Sequence, residues 1–278
     1  MASEGLTAYV PGATTGIPVG ALPPPGLAAS NDNYVVFGEV RDGAGNKVPI
    51  KVTNWSTNVS LLYASSFHML GAQYGAGVVE ILADHQVDAT EIGGRSTGST
   101  GLFNTILEPL ILSWNLKNGV FVSIGQSFYL PDGEFHQVGG VRSQTSYANG
   151  YWTYEPSLAI SYLTNGWDFT ANNIYDVNTE DHHTNYQSGD LYYIDLTAMK
   201  TVGDLSAGLI GNYTQQTGPD KHDGATVGNG NRVQHVMLGP LLGYTFKRFR
   251  LTGRFLTDVR TRNDVRISEF HIGISTNF

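Results

Sequence analysis

From Tyr34 to the end of the chain, apolar and polar residues alternate with a period of two, in segments of about 10 to 14 residues punctuated by Gly, Asn and Asp. Successive side chains of a strand point to opposite faces, so each segment predicts a strand with one apolar and one polar side. Twelve are predicted, over 33–41, 58–69, 72–84, 101–116, 119–130, 149–163, 167–179, 188–201, 205–217, 231–246, 249–262 and 265–278. Strands of soluble domains usually run only ~5 to 6 residues, whereas crossing a bilayer takes ~9 to 11. The connections point the same way. Leu70-Gly71, Lys117-Asn118, Thr164-Asn165-Gly166, Val202-Gly203-Asp204 and Lys247-Arg248 are short turns, alternating with longer polar loops near 42–57, 85–100, 131–148, 180–187 and 218–230. The pattern predicts an all-β fold, a transmembrane antiparallel β-barrel of twelve strands with its short turns and both termini periplasmic.

The last strands carry this pattern most clearly. Phe270, Ile272, Ile274, Thr276 and Phe278 share one face, and Glu269, His271, Gly273, Ser275 and Asn277 the other. In strand 249–262 the outward set is Phe249, Leu251, Gly253, Phe255 and Val259, and Arg250, Arg254, Asp258 and Arg260 face inward, where four charges need water or one another. Trp114, Tyr151, Trp152, Trp167, Tyr192 and Tyr244 lie near strand ends and are expected to form interfacial girdles. Residues 1–32 differ: Pro11, Pro18, Pro23, Pro24 and Pro25 among several glycines disfavour helix and paired strand alike. They are read as a Pro/Gly-rich N-terminal arm, with the barrel over 33–278. The arm is expected to enter the barrel from the periplasmic side and restrict the pore.

Composition narrows the classes. Only 14% of the 278 residues are charged, with 34 Gly, 15 Tyr and 12 Phe, and the mean hydropathy is −0.15. No apolar run approaches the ~18 residues of a transmembrane helix. A net charge of −8 without a Lys/Arg cluster speaks against nucleic acid as a partner. The absence of Cys removes disulfides and thiolate chemistry. The start carries no basic segment followed by an apolar one, and we expect that an export signal has been removed.

Parity places Glu80, Glu108, Glu155, Asp168, Asp195, Arg250, Arg254, Asp258, Glu269 and His271 toward the lumen, with acids and arginines pairing between strands and Phe121, Leu110, Met237 and Leu241 adding an apolar lining. Pro109, Pro156 and Pro240 then face lipid, and each removes one donor from its ladder. One reading is a tolerated bulge. The other is a place where the wall opens sideways and lets an apolar solute leave.

Pro23-Pro24-Pro25-Gly26, Gly93-Gly94-Arg95, Glu108-Pro109-Leu110, Glu155-Pro156-Ser157 and the closing Gly273-to-Phe278 segment together resemble the outer-membrane channel family linked to the meta-pathway of phenol degradation. The resemblance spans nearly the whole chain. It departs where the family's Gly-Asp step after the Arg is replaced by Ser99-Thr100 or thereabouts, so no role is carried over to that acid. The resemblance implies a monomeric twelve-stranded barrel in the outer membrane of a Gram-negative bacterium, passively admitting small hydrophobic or aromatic molecules. It implies outer-membrane lipids as surroundings, and Phe278 matches the terminal aromatic signal by which such barrels engage the assembly machinery.

Catalytic patterns are weaker. Gly94-Arg95-Ser96-Thr97-Gly98 fits a nucleophile spacing but lacks the strand-to-helix elbow. Asp181-His182-His183 has no third ligand at metal spacing, and Gly228-Asn229-Gly230 lacks the Lys-Ser/Thr of a phosphate loop. The reading is therefore a channel without cofactor, metal or chemical step. The alternatives are a general ion-conducting porin and an outer-membrane lipid-hydrolysing enzyme, for which Ser66 and His68, on the lumen side by parity, are the nearest pair.

Overall fold

The computed structural model describes residue 4, residues 7–143 and residues 145–278. Twelve antiparallel strand positions close on themselves. They are β1 (Gly26–Arg41), β2 (Lys47–Met69), β3 (Ala72–Asp88), β4 (in two pieces, Ser96–Leu102 and Ile106–Asn115), β5 (Val120–Tyr129) and β6 (Thr153–Thr164), then β7 (Trp167–Asn178), β8 (Leu191–Val202), β9 (Leu205–Gln216), β10 (Gln234–Phe246), β11 (Phe249–Arg262) and β12 (Val265–Asn277). Each pairs with its chain neighbours, and β1 closes the barrel on β12 from Ala28↔Asn277 to Val40↔Val265.

Five short turns gather at one end of the barrel; the other end carries all the long loops together with the short connections 42–46 and 263–264. Leu70, Lys117, Asn118, Asn165 and Lys247 take positive φ angles in the short turns, the backbone sign that two-residue hairpins need to match strand twist. At the loop end, Tyr186↔His222 pairs the loops after β7 and β9, and Asn104 binds the Leu130 and Asn149 carbonyls, folding the loop after β5 inward.

The outer face carries an apolar belt: Leu158, Ile160, Phe169, Leu196, Leu209, Leu242, Leu251, Phe270 and Ile272 are all exposed. Trp152, Trp167 and Tyr244 stand at its edges as expected, but Tyr151 is buried at the loop end. The packed core lies inside the barrel. Ala8 joins Ile81, Phe103, Tyr129 and Tyr147, and Tyr9 joins Ile174, Leu191, Tyr193 and Val233.

Three boundaries move. The arm does not extend to Asp32, because Gly26–Asp32 are already laddered to β2 and, from Ala28 on, to β12 as well. The expected loops 42–57 and 85–100 shrink, since β2 starts at Lys47 and β3 runs to Asp88. Gly26–Asp32 lack apolar alternation, and near residue 50 Pro49 and the largely polar run from Thr53 to Thr57 interrupt the alternation of Val48, Ile50 and Val52. Beyond the apolar belt both faces of a strand can be polar, so pairing persists where the hydropathy period does not.

Candidate functional site

The arm lies outside the strand ladder, so each of its backbone N–H groups buried in the lumen needs another acceptor. Wall side chains supply them. Gly12 N and Thr14 N donate to Asp195 at 3.1 and 3.0 Å, Gly16 N to Thr197 Oγ1 at 2.7 Å, Gly20 N to Ser161 Oγ at 3.0 Å and Leu22 N to Ser113 Oγ at 3.3 Å. Carbonyls are matched too: Ser123 donates to Val19 O and Gln73 to Pro23 O. The arm thus rises from Pro23 at the turn end to Glu4, whose N–H meets Ser188 at the loop end. Gly20 is fitted to this path, since a Cβ there would come within 2.7 Å of Ser161 N.

Two charged residues hold the middle of the arm. Asp195 also accepts the Tyr9 hydroxyl at 2.5 Å and Asn212 Nδ2 at 2.7 Å. Arg254 Nη1 donates to the carbonyls of Gly12, Ala13 and Thr15 at 3.2, 3.1 and 2.6 Å, and its Nη2 to Tyr34 Oη at 3.0 Å. Its Nε donates to His271 Nδ1 at 2.8 Å. That makes His271 Nε2 the protonated nitrogen, donating to Asp32 Oδ1 at 2.6 Å.

Of the residues expected in the lumen, Glu108, Glu155, Asp168, Asp195, Arg250, Arg254, Asp258, Glu269 and His271 face inward. Glu80 does not: it is exposed and accepts a bond from Thr105 on the outer face. Its inward neighbours Ile81 and Ala83 are apolar because they pack on the arm, so a polar-inside rule inverts there. Met237 and Leu241 line the interior as expected. Leu110 pairs with Gln126 on the outer face, because a bulge between Leu107 and Leu110 shifts the register. The expected acid-to-arginine pairing across the lumen gives way to arm contacts. Glu155 accepts Tyr129 Oη at 2.9 Å, and Asp176 accepts Tyr193 Oη at 3.0 Å. His235 lies between Asp258 and Asp264, at 3.0 and 3.1 Å.

The three prolines are outward, and each coincides with an irregular ladder. The β4–β5 pairs shift across Glu108 and Pro109. The β6–β7 pairs skip from Ser157 to Tyr154, over Pro156 and Glu155. The β10–β11 pairs skip from Leu238 to Leu241, over Gly239 and Pro240. Pro109 and Pro156 flank β5 on its two sides at the level of Gln126, which is itself paired with Pro156. Just toward the loop end, β4 is broken between Leu102 and Ile106.

The arm's wall contacts lie mainly on β4 to β8, and beside it near the loop end a cavity of about 260 Å³ remains. Ala8, Val10 and Pro11 of the arm form one wall. Val36, Val52, Ile81, Val87, Phe103 and Ile267 make much of the rest apolar, and Arg142, Ser146 and Tyr147 of the loop after β5 complete it. Among the described residues no cluster of potential metal ligands occurs. The Ser66 and His68 pair is not in the lumen: a register shift between Ala64 and His68 leaves both exposed, and His68 Nδ1 faces the Ser66 backbone oxygen rather than its hydroxyl.

A closed barrel with an apolar outer belt and a lumen filled by its own N-terminal arm defines a transmembrane protein of the outer-membrane channel type. The family described as MetA-pathway of phenol degradation matches residues 37–267, and the chain belongs to that family. No curated relative matches it. Its fold is similar to that of the COG4313 outer membrane channel from Pseudomonas putida F1, with a TM-score of 0.79, 14% identity, and coverage of 97% of this chain and 100% of that one. It is also similar to the beta domain of the Bordetella autotransporter BrkA, with a TM-score of 0.59, 12% identity and coverage of 91% and 100%. The translocator domain of the autotransporter NalP from Neisseria meningitidis follows, with a TM-score of 0.55, 9% identity and coverage of 91% and 88%.

Several participants were invisible to parity. Tyr9 and Gly12 sit in a segment without periodicity, and Asp264 and Arg142 lie outside the barrel strands, whereas Tyr34 stands in the middle of β1. Asp176 shares its face with Asp168 and Asn172 along β7, so the signal for it was present.

Proposed function

We propose that this protein is a monomeric outer-membrane channel of a Gram-negative bacterium that passively admits small apolar or aromatic molecules, with both termini and the short turns on the periplasmic side. The solute enters from the loop end, rests in the cavity beside the arm and leaves sideways through the wall around β5. It works without a cofactor or a chemical step. The observation that carries this reading is the largely apolar cavity near the loop end, with the arm bound to side chains of β3 to β8 and β11 between it and the turn end. A plug of this kind suits a general ion-conducting porin poorly, because such a pore needs a continuous aqueous lumen. The wall from β4 to β7 supports the exit: Pro109 stands at the shift in the β4–β5 ladder and Pro156 at the gap in the β6–β7 ladder.

The test is flux into proteoliposomes, comparing a monoaromatic compound with a sugar of similar mass, together with single-channel conductance. Fast aromatic entry with small conductance is expected. Equal entry of both with large, steady conductance overturns the reading.

A further inference from the structure

Four of the chain's sixteen Lys and Arg residues, Arg41, Arg260, Arg262 and Arg266, line one open pocket of about 250 Å³ at the loop end, together with Ala44 and Gly45 of the β1–β2 turn. Their shared direction has a local cause. Alternation from Arg254 aims Arg260 into the lumen, but the β10–β11 ladder steps from Met237↔Asp258 to Val236↔Arg260, two residues of β11 against one of β10. This bulge turns Arg260 and Arg262 onto the outer face, while Thr261 between them is buried. Arg266 is outward because its neighbour Ile267 lines the cavity inside, and it pairs with Glu39 on the same face of β1 as Arg41.

The protein does not balance these charges. Among the described residues only Arg41 of the four is ion-paired, to Glu39 at 3.6 Å, and Glu39 is also held by Lys47 at 2.7 Å. The other nearby acids are engaged elsewhere: Asp42 caps its own turn through Ala44 N and Asn46 N, and Asp258 and Asp264 hold His235. Arg266 Nε donates to the Asp258 carbonyl at 3.1 Å, which fixes that guanidinium in place. In a chain of net charge −8, such a concentration of arginine fits an anion, and guanidinium groups match phosphate bidentately.

Position selects the source of the phosphate. Val259, 55% exposed, belongs to the pocket itself. Exposed Phe37 precedes Glu39 on the same face of β1, and exposed Phe270 follows Arg266 and Ser268 on that of β12. An anion held here therefore has apolar surface directly beneath it, as a lipid needs whose phosphate sits at the edge of the hydrocarbon layer. With the loop end outside, the lipid at this height is lipopolysaccharide. Its lipid A carries phosphomonoesters, more highly charged than the diester of a phospholipid.

We propose that Arg41, Arg260, Arg262 and Arg266 form a binding site for a lipid A phosphate of the outer leaflet, with an acyl chain along Val259 and Phe37. The site rests on the orientation proposed for the barrel and not on what the channel carries. The probes are diphosphoryl lipid A, dephosphorylated lipid A, phosphatidylglycerol and inorganic phosphate, added to the purified full-length protein in detergent and read by native mass spectrometry. Wild type is expected to hold diphosphoryl lipid A about tenfold better than the other two lipids. Binding persists in chelator, because arginine and not a bridging divalent cation holds the phosphate. A basic residue at an anionic membrane surface contributes about fivefold, so Arg260→Gln with Arg262→Gln and Arg266→Gln is expected to weaken binding by at least about tenfold. Arg262→Gln alone, at an exposed side chain, gives about fivefold and serves if the triple variant does not fold. Lys247→Gln with Arg248→Gln, at the turn end, is expected to change nothing.

Affinity unchanged in the arginine variants, loss of binding in chelator, or no lipid bound overturns the proposal. Inorganic phosphate competing at equal concentration does so too, and leaves an adventitious ion only. An arginine-dependent preference for phosphatidylglycerol also overturns it, and Val138→Cys, at an exposed loop position of a chain without cysteine, separates the reason. Labelling by a membrane-impermeant maleimide on intact cells keeps the orientation and removes only this site, whereas absence of labelling removes the orientation with it.

Discussion

Asp195 and Arg254 grip the two sides of one peptide residue: the Gly12 N–H donates to Asp195 at 3.1 Å and the Gly12 carbonyl accepts from Arg254 at 3.2 Å. Two opposite charges taken out of water are therefore satisfied through the arm's backbone dipoles rather than by touching each other. Removing either leaves the other to face unpaired polar groups.

Arg254→Met replaces the guanidinium with a side chain of similar reach. Hydrogen bonds to a charged group contribute ~1.5 to 3 kcal/mol each, and three arm carbonyls lose their donor. The arm is expected to undock for part of the time, giving a severalfold rise in single-channel conductance with flickering. Conductance equal to wild type means that the arm is held without Arg254.

Pinning the arm tests where the solute travels. Thr14 and Asn172 are joined by a side-chain hydrogen bond at 3.1 Å, and the chain has no native cysteine. Thr14→Cys with Asn172→Cys is expected to oxidise to a bond that fixes the arm to β7. Aromatic flux should survive oxidation if exit is through the wall. Flux lost on oxidation and restored by reductant places the route along the arm.

The tip of the arm carries a pH dependence. Burial pushes the Glu4 carboxyl up to about 7, with the Thr184 hydroxyl pulling it the other way. A carboxyl whose folded pKa is raised binds more protons in the docked state, so docking is favoured below the free-chain value of ~4.3. That stabilisation is lost as pH rises toward 7. Hydrogen exchange at Thr7 and Ala8, corrected for intrinsic rate, should therefore accelerate between about pH 5 and pH 7, the interval between the two pKa values. Glu4→Gln should flatten the profile, and an unchanged profile in that variant refutes the assignment.

Gly239 tests the close approach of β10 to β11. A Cβ at this position would lie 1.6 Å from the Phe255 carbonyl oxygen, a backbone atom that moves only if the strands separate. Gly239→Ala is expected to lower stability by roughly 2 to 4 kcal/mol, seen as loss of the compact, heat-modifiable electrophoretic form at lower temperature. Gly253→Ala, where nothing lies within 4 Å, is the control.

The barrel was legible because lipid enforces alternation: Phe270, Ile272 and Ile274 must be apolar on a lipid-facing surface, and the strand from 249 to 262 shows both faces at once. The interior was less legible. A lumen filled by protein accepts apolar and polar residues alike, so Ile81 and Ala83 could not be told from lipid-facing positions and Glu80 was assigned to the wrong face. The bulge at Ala64–His68 resets parity where no composition signal marks it, and the one at Leu107–Leu110 is marked by Pro109 alone. The arm's entry into the lumen follows from its Pro and Gly content, but its contacts with Asp195, Thr197 and Ser161 depend on which strands curve together, and strand patterns carry no such information.

The arm and the cavity share a wall, since Ala8, Val10 and Pro11 bound one side of the space beside them. The arm is also covalently tethered to β1 at Gly26, so it meets its own binding groove at an effective concentration on the order of millimolar. A dilute guest in the cavity does not compete for that groove. It rests on the docked arm and buries apolar surface against it, and linkage makes such a guest raise the arm's affinity for the barrel by the factor that the arm raises the guest's. Filling the channel tightens its stopper.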